Sequence, residues 1–247
     1  MKSTGKVAIV TGASSGIGKA TAERLTKAGY RVYGTSRRWA GAEQRSFELL
    51  TLDVTSDESV ATAVNAVVQS EGRVDLLVNN AGFTKFVPHA NLDDLSAEDF
   101  QRIYATNVVA AFQMARACAP ALRKSGRAAL VNVSSLASFL GTGSSIAYAT
   151  SKGAVNVLTL SLARVLAPEV RVNAVLPGFV DTPWMIKGYG EERYAKLSAS
   201  YRAAAPLKST CSPDDIAETI VWLIEGASMV TGETIFVDAG MHAATPR

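Results

Sequence analysis

The stretch Lys6-Val7-Ala8-Ile9-Val10-Thr11-Gly12-Ala13-Ser14-Ser15-Gly16-Ile17-Gly18 decides the fold. Its first half is a short β-branched apolar run with no polar interruption, which fits a strand buried on both faces. Its second half, Thr11 to Gly18, is rich in glycine and leads directly into a helical pattern over residues 17–28. Glycine lets the backbone turn sharply and come close to a ligand, and a helix N-terminus favours an anion such as a pyrophosphate. The spacing is T-G-x-x-x-G-x-G, not the dinucleotide G-x-G-x-x-G, and no Lys-Ser/Thr pair follows as in a P-loop. A glycine turn that merely caps the helix through Ser14 or Ser15 is the plainer alternative.

Outward from this loop the pattern repeats. KVAIVT (6–11), YRVYGT (30–35), FELLTL (47–52), VDLLVN (74–79), AALVNVS (128–134), VRVNAV (170–175) and ETIFVD (233–238) read as seven strands. Helical patterns lie near 17–28, 57–70, 97–124, 146–167 and 214–225. Such alternation predicts right-handed βαβ units around a parallel sheet: a single-domain, Rossmann-like, doubly wound α/β fold spanning 1–247. Two places break the rhythm. The connection over 36–46 is too short for a full crossover helix, at most a turn or two. The segment 177–213 is a long insertion before the last helix, and ligands in open α/β sheets bind at the carboxyl ends of strands, so it is expected to be a substrate lid.

Composition narrows the class. The 247 residues are 48% hydrophobic and carry a net charge of only +3, so a real core is possible and a nucleic-acid footprint is not expected. Cys118 and Cys211 are too few for a disulfide framework and read as buried thiols in a reducing compartment. His89 and His242 have no neighbouring ligands, so no metal site is expected. The N-terminal apolar run ends at Thr11, shorter than a secretory core of roughly 7–15 residues. Gln113 and Arg116 break the apolar stretch 108–122 below the ~18 residues of a membrane span. A cytoplasmic protein with no membrane partner is the expectation.

Two further features carry chemistry. The tip of the second strand should reach an adenosine ribose, where an acid would select NAD. Ser36-Arg37-Arg38 stand there instead, and guanidinium groups can hold a 2′-phosphate, which favours NADP over NAD. A solvated Arg pair is the alternative. Tyr148 and Lys152 then stand at i and i+4 on one face of a helix. A phenol near pKa 10 must fall ~2–3 units to exchange protons near neutrality, or ~3–4 kcal/mol. A cation at ~4 Å in an effective dielectric of ~20 supplies about that much. Ser135, at the carboxyl end of the fifth strand, could hold a substrate oxygen beside Tyr148. Asn107 is a polar residue amid Val108, Val109 and Ala110, read either as functional or as a core amide satisfied by backbone.

TGASSGIG, Asp53, Asn79-Asn80-Ala81-Gly82, Asn107, Ser135, Tyr148-Ala149-Thr150-Ser151-Lys152 and Pro177-Gly178 fall in one order. Together they resemble the short-chain dehydrogenase/reductase family over essentially the whole chain. The resemblance implies a tetrad: Tyr148 as acid/base, Ser135 as donor to the substrate oxygen, Lys152 as pKa depressor and ribose ligand, and Asn107 as anchor of a water relay to Lys152. It implies a cofactor site of Gly12, Ser14, Ser15, Gly16, Ile17, Gly18, Arg37, Arg38, Asp53, Val54, Asn80, Ala81, Gly82, Tyr148, Lys152, Pro177, Gly178, Val180 and Thr182. The implied reaction is hydride transfer between NADP(H) and a carbonyl or secondary alcohol, by a homotetramer assembled on the helices at 97–124 and 146–167. Many NADP-preferring relatives carry a basic residue where this chain has Ser15, so Arg37 would bear most of the phosphate recognition.

The substrate is expected to be a small carbonyl compound or alcohol with an apolar moiety, walled by Phe83, Phe86, Phe139, Leu140, Trp184, Met185, Ile186 and Tyr189. Within 184–208, Lys187, Arg193, Lys196, Arg202 and Lys208 oppose Glu191 and Glu192, so this window holds the chain's entire surplus of +3. It reads as a solvated helix face or as an entrance that favours an anionic substrate. The latter would suit an acyl-carrier-protein ketoreductase. A non-catalytic nucleotide sensor on the same fold is the remaining alternative, opposed by the intact tetrad.

Overall fold

The computed structural model describes residues 5–39 and 45–244, so the middle of the 36–46 connection lies outside the described residues. All seven expected strands form: β1 (Val7–Thr11), β2 (Arg31–Ser36), β3 (Glu48–Thr51), β4 (Leu76–Asn79), β5 (Ala128–Val133), β6 (Val170–Pro177) and β7 (Thr234–Val237). They make one parallel sheet in the order β3-β2-β1-β4-β5-β6-β7. The chain runs outward from β1 to β3, then returns to place β4 on the other side of β1. The crevice above β1 and β4 is therefore the topological switch point.

The continuous apolar runs follow from burial on both faces. Val7 and Ile9 point into one core with Leu77 and Leu130, beneath α2 (Asp57–Glu71), α4 (Ala110–Ser125) and α6 (Ile146–Leu166). Ala8 and Val10 point into the other with Val78 and Val131, beneath α1 (Gly16–Lys27) and α9 (Pro213–Glu225). Alternate residues of each strand thus feed opposite layers, and neither layer tolerates a polar face.

The helix expected over 97–124 is in fact three pieces. α3 (Ala97–Tyr104) and α4 flank a π-helical segment, Ala105–Val109, whose extra residue per turn shifts the buried face. Such insertions are common at functional positions, and this one carries Asn107. The insertion before α9 also has structure: α7 (Pro183–Tyr189) and α8 (Glu191–Ala204), separated by Gly190, while a short α5 (Ala137–Leu140) follows β5. No helix among the described residues is long and apolar enough to cross a membrane. Cys118 and Cys211 are both buried and unpaired.

Candidate active site

The loop after β1 is held by its neighbour across the switch point. Thr11 Oγ1 accepts from the backbone N–H groups of Asn80 at 2.9 Å and Ala81 at 3.0 Å, and Asn80 Nδ2 donates to the carbonyls of Thr11 at 2.9 Å and Gly12 at 3.2 Å. Gly12 and Gly16 have φ of +68° and +55°, conformations that only glycine adopts without strain. Gly18 does not face the cleft; any side chain there would collide with Asn80 Nδ2 and the Gly12 carbonyl, so it lets α1 pack against the loop. Ser15 flanks α1 without capping it, and no acid stands in its first turn. By contrast, Ser56 caps α2 with Asp57 and Glu58 beside it, and Ser212 and Asp215 form a capping box on α9. The amide end of α1, unlike those of α2 and α9, is thus left open to an anion.

The other wall is the junction of β5 with α6. Ser145 caps α6 by accepting from the Tyr148 N–H at 3.2 Å, which places Tyr148 in the first turn and Lys152 one turn later. Ser134 Oγ donates to the Lys152 carbonyl at 3.1 Å, and Lys152 Nζ donates to the Val133 carbonyl at 2.7 Å. Lys152 is only 4% exposed, and its ammonium lies 5.7 Å from the centre of the Tyr148 ring.

Burial dominates the electrostatics. It pushes the Tyr148 phenol up to about 12, against a hydrogen bond with Ser135 that lowers it. It pushes the Lys152 ammonium down to about 8. The expected depression of Tyr148 by Lys152 does not appear in this geometry: the ammonium is turned to the Val133 carbonyl, and desolvation is the main influence on the half-buried phenol.

Asn107 is buried and fully engaged. Its Nδ2 donates to the Phe83 carbonyl at 3.0 Å and to Ser151 Oγ at 2.9 Å, and its Oδ1 accepts from the Phe83 N–H at 2.7 Å. Ser151 Oγ donates in turn to the Tyr148 carbonyl at 2.7 Å. Asn107 thus links the loop after β4 to the first turn of α6. A side chain on Gly82 would lie 3.5 Å from Asn107 Oδ1 and 3.8 Å from Lys152 Nζ, so the glycine leaves the passage between them open.

Of the expected site residues, all but Gly18, Arg38 and Asn107 line one cleft of about 340 Å³ over the switch point. Arg37 faces it and lowers the Asp53 carboxyl, whose main restraint is a pair of hydrogen bonds from Thr55. Arg38 is exposed and does not line the cleft, and stands in a tight turn where Ser36 Oγ donates to its carbonyl at 2.8 Å. Thr35, Leu52, Thr55, Thr106, Val133 and Ser134 also line the cleft without a motif of their own, and all but Val133 adjoin a residue that has one.

Among the expected substrate walls, Trp184 and Met185 line the cleft. Phe86 packs on Trp184 at 5.2 Å and on Tyr189 at 4.7 Å, outside it. Phe139 instead meets Phe236 edge-on at 5.1 Å, Leu140 is exposed, and Phe83 lies under the Arg102 guanidinium at 4.4 Å. In the insertion before α9, Lys196 pairs with Glu192, Arg202 with Asp181, and Lys208 donates to the Ala203 carbonyl. Most of the basic window is therefore occupied locally, as on a solvated face, with Lys187 and Arg193 left outside these pairs.

Comparison with known proteins places this geometry. A family model described as enoyl-(acyl carrier protein) reductase matches residues 12–242. A protein of Streptomyces violaceoruber, named for ketoacyl reductase 2 of the granaticin polyketide synthase, is 39% identical over 96% of both chains. A Burkholderia xenovorans structure described as a short-chain dehydrogenase/reductase is 38% identical, with a TM-score of 0.87 over 98% of this chain and 100% of that one. The structure of ElxO with NADP bound is 29% identical, with a TM-score of 0.87 over 98% of this chain and 100% of that one. With its parallel sheet, glycine loop and Ser-Tyr-Lys wall, the chain belongs to the short-chain dehydrogenase/reductase family of oxidoreductases.

Proposed function

We propose that the protein is an NADP(H)-dependent oxidoreductase that transfers hydride between nicotinamide and a carbonyl or secondary alcohol, with Tyr148 as acid/base. The observation that carries this reading is convergence. Ser135 and Tyr148 line the same cleft as the glycine loop and the open end of α1, close enough for Ser135 to lower the phenol against its burial. The residues present fit a dinucleotide: Gly12 and Gly16 open the backbone for its pyrophosphate, and Arg37 faces the cleft where a 2′-phosphate would need charge. Asp53, Val54, Asn80, Ala81, Gly82, Pro177, Gly178, Val180 and Thr182 complete its walls. The cofactor supplies the hydride in reduction and accepts it in oxidation.

The chain's own groups do the rest. Ser135 holds the substrate oxygen and Tyr148 gives it a proton in reduction or takes one in oxidation. Burial keeps the phenol protonated, the form that reduction requires. Lys152 anchors the wall through Val133 and is the cation nearest to the phenol ring. Asn107 sets the start of α6 through Ser151 and the loop after β4 through Phe83, and is assigned the proton relay that resupplies Lys152.

An acyl-carrier-protein ketoreductase is the second reading. It is favoured by the relative named for a polyketide synthase and by Lys187 and Arg193 on the outer lid. The homotetramer is supported by apolar side chains left exposed on α4 and α6, Phe112 and Val157 among them. A cytoplasmic location is consistent with two unpaired, buried thiols.

Initial rates with NADPH and NADH against ketones, quinones and acyl thioesters test the assignment, with Tyr148→Phe as control. Turnover that requires Tyr148 and prefers NADPH is expected. Cofactor binding without turnover of any carbonyl or alcohol would overturn it in favour of a nucleotide sensor.

A further inference from the structure

The two helices of the insertion are held very differently. α8 is docked by directed contacts: Tyr194 donates to Asp181 Oδ1 at 2.6 Å, Tyr201 donates to the Asp238 carbonyl at 2.7 Å, and both rings pack on Phe179 at 5.6 Å. Thr210 also donates to Asp181, closing the base of the insertion at 2.7 Å. α7 has no buried residue, and Gly190, with φ of +78° and ψ of 155°, breaks it from α8. Two of its rings, Trp184 and Tyr189, close on a side chain from the body of the protein, Phe86.

Phe86 lies between Trp184 at one end of α7 and Tyr189 at the other, and sits where a side chain on Gly188 would have to be. Its own backbone is fixed next door, where the Val87 N–H donates to the Ser144 carbonyl at 2.8 Å, just before the Ser145 cap of Tyr148's helix. Phe86 therefore ties α7 to the segment that positions Tyr148. In this arrangement the Trp184 and Tyr148 rings are 6.3 Å apart and inclined by 47°. A flat group inserted between two rings needs ~3.5 Å on each side, about 7 Å in all. No ring enters there while α7 is seated.

We propose that Phe86 is a specificity-determining residue acting through Trp184. Seated in the slot that Gly188 leaves in α7, it latches that helix over Tyr148, so that the substrate carbonyl carries only a slender group on the Trp184 side. The inference rests on the carbonyl-reductase reading of the cleft. It assigns a substrate class, methyl or methylene ketones, and excludes ketones flanked by rings on both sides.

The test uses Phe86→Ala, which empties the slot, Gly188→Ala, which fills it, and the double variant, with Phe86→Leu as the conservative control. Amide hydrogen exchange is followed in 183–189 and 191–204. Rates with NADPH are measured on 2-heptanone and benzophenone. Each single alanine variant should speed exchange in 183–189 only and raise the benzophenone-to-heptanone ratio of kcat/KM roughly tenfold or more. Phe86→Leu should fall between these and the wild type. The double variant should be no worse than Phe86→Ala, since the added methyl then meets no ring. Unchanged exchange in 183–189 overturns the latch whether or not any ketone turns over. Faster exchange with an unchanged ratio overturns the specificity assignment alone. No turnover of either ketone by the wild type overturns that assignment together with the reductase reading, and leaves the latch to be judged by exchange.

Discussion

Asn107 binds both backbone polar groups of Phe83, donating to its carbonyl at 3.0 Å and accepting from its N–H at 2.7 Å. The residue is therefore a brace between β4's loop and α6 as well as a neighbour of Lys152. Asn107→Ala removes partners from two backbone groups and from Ser151, and buried groups left unpaired cost ~1–3 kcal/mol each. A stability loss of roughly 2–4 kcal/mol is expected by urea unfolding, with weaker turnover. A variant as stable as the wild type but inactive would show that Asn107 serves the relay without bracing the fold.

Only one of the two arginines after β2 faces the cleft. Arg37→Asp should raise the KM for NADPH far more than that for NADH, whereas Arg38→Ala should change neither appreciably. Equal losses for both cofactors in Arg37→Asp would remove the phosphate assignment. A large effect at Arg38 would mean that its turn, held by Ser36, rearranges when nucleotide binds.

How far the chain could be read in advance depends on what each feature needs. Strands buried on both faces announce themselves as unbroken apolar runs, and residues such as Gly12, Ser135, Tyr148 and Lys152 are legible because their spacing is local. The π-helical segment at Ala105–Val109 is not, since one additional residue in a turn barely alters an apolar pattern read over a window of 11–18. The buried bridge from Asn79 to Asn132 and on to Thr159 joins residues far apart in the chain, which no local pattern reports. Phe139 on α5 and Phe86 on the loop after β4 both follow the carboxyl end of a strand, yet one packs on Phe236 and the other on α7. Composition cannot separate them because the choice is made by tertiary packing.

Lys152 offers a pH test that needs no substrate. Its folded pKa is lowered to about 8 by burial, from an ordinary 10.5. Below pH 8 both folded and unfolded chains hold the proton, and the cost of burying the cation is fully present. Between pH 8 and 10 the unfolded chain binds more protons than the folded one, so stability rises with pH. Relative to Lys152→Met, which does not titrate, the wild-type apoprotein should gain roughly 2–3 kcal/mol from pH 7 to 10. Above pH 10 the raised Tyr148 phenol acts in the opposite sense, so the window must end there. A pH-independent difference between the two proteins would show that the ammonium is not desolvated in solution.

The basic insertion before α9 supports a final prediction that separates the two readings of its charge. Lys196, Arg202 and Lys208 are already engaged within the insertion, whereas Lys187 and Arg193 stand outside those pairs, with Arg193 over the Tyr189 ring at 5.4 Å. If an anionic carrier or thioester approaches across α7, only these two of the five can meet it without first breaking an ion pair or hydrogen bond. The double substitution Lys187→Glu and Arg193→Glu should then raise KM for an acyl-carrier-protein or coenzyme A substrate severalfold, more at low salt than at high salt. It should leave KM for a neutral ketone of the same acyl length nearly unchanged, because nothing in the cleft is altered. Lys196→Glu is the matched control, equal in charge change per residue but placed where Glu192 already answers the cation. Equal effects on charged and neutral substrates would mean that the double variant disturbs α7 itself, and no effect on either would leave the basic face to solvent alone.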